Sequence, residues 1–370
     1  MKSAVNLHRR ELLTAGVALT VAAALPRAAR AESAFAPQPG AWRQFQVTTR
    51  LEIAKADGLT QAWIPLPSVN EKDWFQSNGS TWRTNGKSAL KRDAKYGAEL
   101  LHVEWSSGDK PAVEVISNIA TRDRATDLGT RGLPAPLTAA ERKLYLGGTE
   151  LIPVDGIVKQ TSDKITAGAR TDVEKARAIY EWVVDNTFRN ASTRGCGIGD
   201  IAAMLKSGNL GGKCADLNAL YVGLARAAGI PARDVYGIRV APSKFGYKSL
   251  GAGSETITKA QHCRSEVHLA GFGWVPVDPA DVRKVVLEEP PTNLAVTDPK
   301  VVAARQALFG SWETNWLAYN FAHDVALPGS KGPKLGFLMY PQAETAALRL
   351  DCLDPDTFRY TILSKEVTAA

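Results

Sequence analysis

The chain has 370 residues, 45% hydrophobic and 22% charged, which is enough for two globular domains or one large one and excludes a low-complexity or disordered polymer. Its formal charge is +7, but residues 1–31 hold five basic residues against Glu11, so the remainder carries only +3. A bias that small gives no electrostatic case for nucleic acid or an anionic membrane surface as partner.

Residues 1–31 read as an export signal. Arg9-Arg10-Glu11-Leu12-Leu13 resembles a twin-arginine motif, with Leu12 where Phe is frequent. The apolar stretch Leu12–Leu25 is too short to span a bilayer, and Ala29-Arg30-Ala31 offers a small-x-small cleavage site. No later stretch is long and apolar enough to cross a membrane, so a periplasmic protein cleaved near Ala31 is expected. The four cysteines, Cys196, Cys214, Cys263 and Cys352, are too few for a disulfide framework. Free thiols are expected, with Cys196 and Cys263 as the pair to test. Without C-x-x-C or His-x-x-x-His spacing, no structural zinc site, metal requirement or cofactor is expected.

After a lead-in at residues 32–41, residues 42–122 read as a β-sandwich-like domain. Gln44–Ile53 alternates, with Phe45, Val47, Thr49, Leu51 and Ile53 on one face; Gln61–Leu66, Leu100–Trp105 and Ala112–Ile119 are further strands. Trp63, Trp74 and Trp82 in this region fit core packing better than a binding face. Residues 123–170 read as a connector. Thr171 to Glu174 forms a capping box that opens a helix with Val173, Ala176, Tyr180 and Val183 as its apolar stripe. The glycine-rich stretch Arg194–Gly199 lacks the Lys-Ser/Thr of a phosphate loop, and Asp200 caps a short helix ended by Gly208.

Gly211–Val240 organises the rest. Gly211-Gly212-Lys213-Cys214 opens a helix whose apolar stripe runs through Leu217, Leu220, Tyr221, Leu224, Ala225 and Ala228, ended by Gly229 and Pro231. A strand follows over Asp234–Val240. Cys214 thus stands at a helix start, where unpaired N–H groups and the helix dipole favour thiolate, although packing alone also places cysteines in such positions. Residues 241–258 read as a surface loop. Gln261–Asp278 then reads as a β-hairpin, and a turn centred on Ala270 would put His262 directly opposite Asp278, with Cβ atoms about 5 Å apart. Asp278 could then bind one imidazole nitrogen while the other faces a thiol. Taken alone, His262 reads more readily as a satisfied core residue, and Asp278 could merely cap a turn. His268 is either structural or a substrate contact; His102 and His323 lie outside the pattern.

Gly212-Lys213-Cys214-Ala215-Asp216, Ala228 to Arg233, and His262 with Glu266-Val267, Gly273-Trp274 and Asp278-Pro279 occur in an order that resembles the transglutaminase-like superfamily of papain-like thiol enzymes. The resemblance covers residues 170–280. It implies an α+β fold: a papain-like core of helices on an antiparallel sheet over 171–290, after the N-terminal sandwich. Residues 291–370 would pack on that core as a tail, with a helix capped by Asp298-Pro299; Trp312 and Trp316 fit helix packing or a cleft floor. The resemblance also implies Cys214 as nucleophile, His262 as general base and acid, and Asp278 as the residue orienting it. Arg264 departs from the family, which often has an aromatic residue there, so the site's shape or leaving-group preference could differ. Backbone N–H groups near Cys214 would hold the oxyanion, and Asn209 is one candidate for an added donor.

These residues lead to an exported thiol acyltransferase or amide hydrolase acting on a peptide or protein amide through a Cys214 thioester, with hydrolysis ranked ahead of cross-linking. The alternatives are a non-catalytic binding or assembly module retaining the fold, and a redox protein using Cys196, Cys214 and Cys263.

Overall fold

The computed structural model describes Met1 and residues 35–54, 56–354 and 358–367. The export signal lies outside them. Among the described residues no helix is long and apolar enough to cross a membrane.

Among the described residues, six strands longer than two residues come first: β1 (Arg43–Glu52), β2 (Thr60–Leu66), β3 (Phe75–Thr84), β4 (Lys87–Arg92), β5 (Glu99–Trp105) and β6 (Ala112–Thr121). In β1 the alternating residues Phe45, Val47, Thr49 and Leu51 are buried, as period-two patterning requires. Five helices follow, α1 (Ala139–Leu146), α2 (Gly156–Thr166), α3 (Asp172–Asn186), α4 (Ile201–Ser207) and α5 (Cys214–Ala227). Then come β7 (Ala232–Arg239), β8 (Gln261–Leu269), β9 (Gly273–Val277), α6 (Pro279–Glu288), α7 (Pro299–Ala307), β10 (Trp316–Asn320), β11 (Gln342–Glu344) and β12 (Arg359–Val367).

The main strands form three four-stranded antiparallel sheets, ordered β12-β1-β6-β3, β11-β2-β5-β4 and β9-β8-β7-β10. The first two share a core of Leu51, Ile64, Leu101, Val103, Val113 and Phe358, the expected sandwich. The third carries α5 on one face. Phe45, Val47, Phe75 and Ile119 of the first sheet belong to the same hydrophobic cluster as Leu217, Leu220 and Leu224 of α5, so strand-rich and helix-rich stretches are joined by one core. Burying each of those leucines contributes about 2 kcal/mol.

Two stretches differ from the sequence reading. The connector at 123–170 contains α1 and α2. Helix α1 opens on a capping box, Thr138 with Glu141, and α2 packs on α5, where the Ser162 hydroxyl donates to the Leu224 carbonyl at 2.8 Å. Short helices with one or two buried residues leave little periodicity to read. The C-terminal segment packs on the core only in part. Strand β10 completes the third sheet, whereas β11 and β12 pair with β2 and β1 and complete the sandwich. Antiparallel pairing to an N-terminal edge is a long-range contact that no local pattern announces. Trp316 accordingly sits on a strand, not a helix.

Trp63, Trp74 and Trp316 are fully buried, and Trp82 is half-buried with its Nε1–H donated to Ser88 Oγ at 3.1 Å; these tryptophans serve the core.

Candidate active site

All fourteen residues of α5 are buried, although three of them are Asp216, Asn218 and Arg226. Buried polar groups are tolerated where their hydrogen bonds are made; Arg226 binds the Ala232 and Gly147 carbonyls away from the cleft, while Asp216 and Asn218 each fix part of the site. Asp216 accepts from the amides of Lys213 at 2.9 Å, Ile198 at 3.0 Å and Gly199 at 2.9 Å. It thereby folds the glycine-rich stretch over the start of α5, and the Cys196 carbonyl accepts the Ala215 N–H at 2.9 Å. Gly197 has φ +93° and a Cβ there would lie 1.9 Å from Asp216 Oδ2. Gly197→Ala should therefore cost about 3 kcal/mol and displace Cys196, read as a lowered denaturation midpoint.

Asn218, one turn beyond Cys214, donates from Nδ2 to the Cys263 carbonyl at 2.8 Å and to Asp278 Oδ1 at 3.2 Å. It ties α5 to β8 and to the start of α6. Asp278 is the N-cap of α6: its Oδ1 accepts the Asp281 N–H at 3.0 Å, while its Oδ2 accepts from His262 Nε2 at 2.8 Å. The two readings that the sequence left open for Asp278, cap and orienter, describe two oxygens of one carboxylate.

The hairpin brings His262 and Asp278 together, but in a different register from the one expected. Ser265 faces Val277 and Leu269 faces Gly273, so the turn is centred on Gly271, one residue later. Gly271 and Gly273 have φ of +85° and +72°, and their freedom sets the turn. Asp278 therefore reaches His262 diagonally, from just beyond the end of β9.

A second carboxylate, not anticipated from sequence, faces the same imidazole. Asp281 Oδ1 lies 3.3 Å from His262 Nε2, and both its oxygens accept from Arg239 Nη2 at 2.6 and 2.8 Å. Asp281 follows Asp278 by three residues, so the first turn of α6 presents both acids on one side. Asp281 also lay within reach of a sequence reading, as the residue three positions past an N-cap; Arg239 was hidden inside a strand.

The electrostatics follow from this packing. Burial opposes charge on His262, but Asp281 and Asp278 outweigh it and hold its pKa up at about 9. Burial raises Asp278 as well, and Asp281 beside it adds to the effect. Asp281 is held well below the usual carboxylate range because Arg239 and His262 overcome its burial. The Cys214 thiol is lowered well below its ordinary value, first by the neighbouring Cys196 and Cys263 thiols and then, against burial, by His262; the Cys196 thiol also donates to the Gln261 carbonyl at 3.4 Å. With Nε2 held by Asp278, the imidazole has Nδ1 left for the sulfur. Removing the neighbouring thiol that has no other acceptor among the described residues, as Cys263→Ala, should move the Cys214 alkylation profile up by about one pH unit, since hydrogen bonds to charged groups contribute about 1.5–3 kcal/mol. All four cysteines are free.

His262, Asp278 and Asp281 also have ligand atoms within 4.8 Å of one another, the spacing of a metal site. Their donors are already engaged: Asp281 by Arg239, and Asp278 by His262, Asn218 and the Asp281 amide.

Arg264 does not line the cleft. It is buried behind the site, its guanidinium 5.3 and 4.9 Å from the rings of Trp312 and Trp316, with Nη1 donating to the Glu313 carbonyl at 2.8 Å and Nε 3.6 Å from Asp278 Oδ2. Trp316 Nε1–H donates to the His262 carbonyl at 3.0 Å. The two tryptophans therefore sheathe Arg264 and do not floor the cleft, and Arg264 adds a positive charge beside Asp278.

Asn209 is also outside the cleft lining; its Oδ1 accepts the Gly211 N–H at 3.2 Å. As the first residue of α5, Cys214 has an N–H with no acceptor inside the helix, which leaves it for an incoming oxyanion. The other histidines are placed elsewhere. His102 binds Gln61 and stacks on Trp63, His323 lies beside Tyr236 and Asp234, and His268 packs edge-on against Trp274.

Cys214 and His262 open onto a cleft of about 950 Å³. Its walls come from the glycine-rich stretch, the loop before β8, and the start of β12.

Residues 159–279 match the model of the Transglutaminase-like superfamily. A protein of Haemophilus influenzae is 38% identical over 341 residues, which cover 88% of this chain and 91% of that one. Among solved structures, one titled a "putative cysteine protease" from Cytophaga hutchinsonii superposes with a TM-score of 0.56 at 11% identity, covering 90% of this chain and 93% of the other. The periplasmic domain of TgpA from Pseudomonas aeruginosa matches with a TM-score of 0.35 at 14% identity, over 65% of this chain and 88% of that domain.

Proposed function

The chain belongs to the transglutaminase-like superfamily, and from that premise we propose that it is a thiol acyl-transfer enzyme that hydrolyses a peptide or protein amide through a Cys214 thioester. The observation that carries this reading is the Cys214 sulfur at a helix start, beside an imidazole whose far nitrogen is held 2.8 Å from Asp278, at the edge of an open cleft.

The chemistry follows from the positions. The Cys214 thiolate attacks the amide carbonyl carbon, and the oxygen takes the negative charge next to the Cys214 N–H. The carbon–nitrogen bond breaks as His262 gives its proton to the leaving amine. Water then attacks the thioester, His262 takes the proton, and the carbon–sulfur bond breaks to regenerate thiolate. Asp278 and Asp281 stabilise the imidazolium in the acylation half; they need not exchange protons. Arg239 and Arg264 offset the two buried carboxylates, which would otherwise carry a large desolvation cost.

Hydrolysis is ranked ahead of amine transfer because the cleft is open to water. The test is mass spectrometry of the enzyme quenched during turnover of a peptide-amide panel. An acyl adduct on Cys214 that decays to free acid supports the reading, and decay to an amide of an added amine would move it to cross-linking. No adduct from any amide would contradict it. Export is proposed from the signal at residues 1–31, and fractionation of the expressed protein for a processed periplasmic form tests it.

A further inference from the structure

The cleft has a charge pattern that the catalytic residues do not explain. Among the described residues its lining includes seven lysine and arginine side chains and no aspartate or glutamate. The whole chain has 45 basic and 38 acidic residues, so a sample drawn without selection would be mixed. Four of the seven have carboxylate partners, and those carboxylates lie outside the lining: Arg189 with Glu288, Arg194 with Asp351, Arg239 with Asp281, and Lys284 with Glu288 at 3.7 Å. Lys213, Lys259 and Arg359 have no ion pair among the described residues. Lys213 directly precedes the nucleophile. Lys259 and Arg359 sit on the loop before β8 and on the first residue of β12, which are fastened together by the Ile257 N–H to the Ile362 carbonyl at 2.8 Å and by the Ile362 N–H to Thr258 Oγ1 at 2.9 Å. Lys259 and Arg359 are solvent-exposed, yet both face the concavity. Burial, with Arg239 adding to it, lowers Lys284 to about 8, a cost that an incoming carboxylate would relieve.

A concave wall that holds three unpaired cations, with no carboxylate on its described lining, focuses a positive potential where the scissile bond must lie. We infer that the cleft selects an anionic acyl donor, a peptide or protein amide with one or more carboxylates flanking the bond that Cys214 attacks. This rests on the acyl-transfer reading for the bond broken, but the charge preference can be measured without turnover. The carboxylate could come from an acidic side chain or from a free chain terminus; the chemistry recognised is the same.

The probes are iodoacetate and iodoacetamide, which alkylate the same sulfur and differ by one negative charge. The His262 imidazolium itself favours the anionic reagent, so the deciding comparison is between wild type and the double variants Lys259→Glu/Arg359→Glu and Lys259→Gln/Arg359→Gln, which leave the imidazole in place. In wild type at low salt the iodoacetate-to-iodoacetamide rate ratio should exceed that of free cysteine by about tenfold or more and fall steeply with added salt. The Gln pair should lose several-fold of the ratio and the Glu pair more. Equal ratios in all three proteins, or a ratio indifferent to salt, would overturn the inference. A second arm compares turnover of peptide amides with Glu against Gln next to the scissile bond, and with free against amidated termini. Preference for Glu assigns a side-chain carboxylate, preference for the free terminus assigns a main-chain one, and equal turnover of the neutral isosteres overturns the inference. If no amide is turned over while the alkylation ratio still falls in the variants, the acyl-transfer reading fails and the anionic preference of the cleft stands.

Discussion

Cys214→Ser should abolish amide turnover, by at least about 10⁴-fold, while leaving the denaturation midpoint within about 1 kcal/mol of wild type. Serine fits the volume left by the thiol. Its hydroxyl, however, cannot be held ionised by the donors that lower the Cys214 thiol: Cys196, Cys263 and His262. The pairing of lost activity with kept stability separates this site from the packing role that a buried helix-start cysteine could also have. If Cys214→Ser retained turnover, the nucleophile would have to lie elsewhere. If it unfolded the protein, Cys214 would be a core residue first.

Asp278 gives the second large effect, and two substitutions there should divide its two functions. Asp278→Asn keeps an oxygen for the Asp281 N–H and so keeps the cap of α6, since Asn and Asp are nearly equivalent N-caps. It removes the charge that His262 Nε2 faces and can present an N–H in place of an acceptor. Turnover should fall by about 10³- to 10⁴-fold, the scale seen when the orienting acid of a catalytic triad is neutralised, with little loss of stability. Asp278→Ala should lose activity to the same degree and also about 1–2 kcal/mol of stability through the uncapped helix. Kinetics with a denaturant titration of both variants checks this. Equal stability of the Ala and Asn proteins would mean that the cap contributes nothing, and unchanged kcat in Asp278→Asn would leave Asp281 as the carboxylate that matters.

Much of this site could be read along the chain because its signals are local. The Gly-Gly turn, the thiol at a helix start and the stripe from Leu217 to Leu224 all fall within one stretch, and the capping box at Thr171 and the cap at Asp200 appear as expected. What escaped was set by tertiary contacts. The sequence pairs His262 with Asp278, but the register depends on which residue centres the turn, and the positive φ that Gly271 and Gly273 adopt there moves the centre from Ala270 to Gly271. Arg239 reads as one polar position in a β-branched strand, and only the fold shows it clamping Asp281. Asn218 lies on the buried face of α5, where a lone amide in an apolar stripe gives no sign of the carboxylate it meets. Arg264 stood out as a departure from the family, but its effect could not be read without the two tryptophans that enclose it. Strands β11 and β12 pair with segments about 280–320 residues earlier, so local patterning places them poorly.

The pKa directions also set the pH behaviour of the site. Cys214 is lowered and His262 is raised to about 9, so between the lowered thiol value and about 9 the pair exists as thiolate and imidazolium. The imidazolium contributes stability that is fully present below the ordinary histidine value of about 6.5 and is lost as the pH rises through about 9. Acylation should fade on the alkaline side as His262 loses the proton it donates to the leaving amine, and on the acid side as the thiolate is protonated.

The alkylation rate of Cys214 with iodoacetamide as a function of pH, in wild type and in His262→Ala, tests the central claim most directly. The ion pair predicts a fast rate in wild type that persists down to about pH 6, well below the ordinary thiol value of about 8.5, and is slowed at that pH in the variant, where only the neighbouring thiols remain to lower Cys214. An ordinary thiol titration in both proteins would contradict it and leave Cys214 a buried core cysteine in a fold that binds without catalysing.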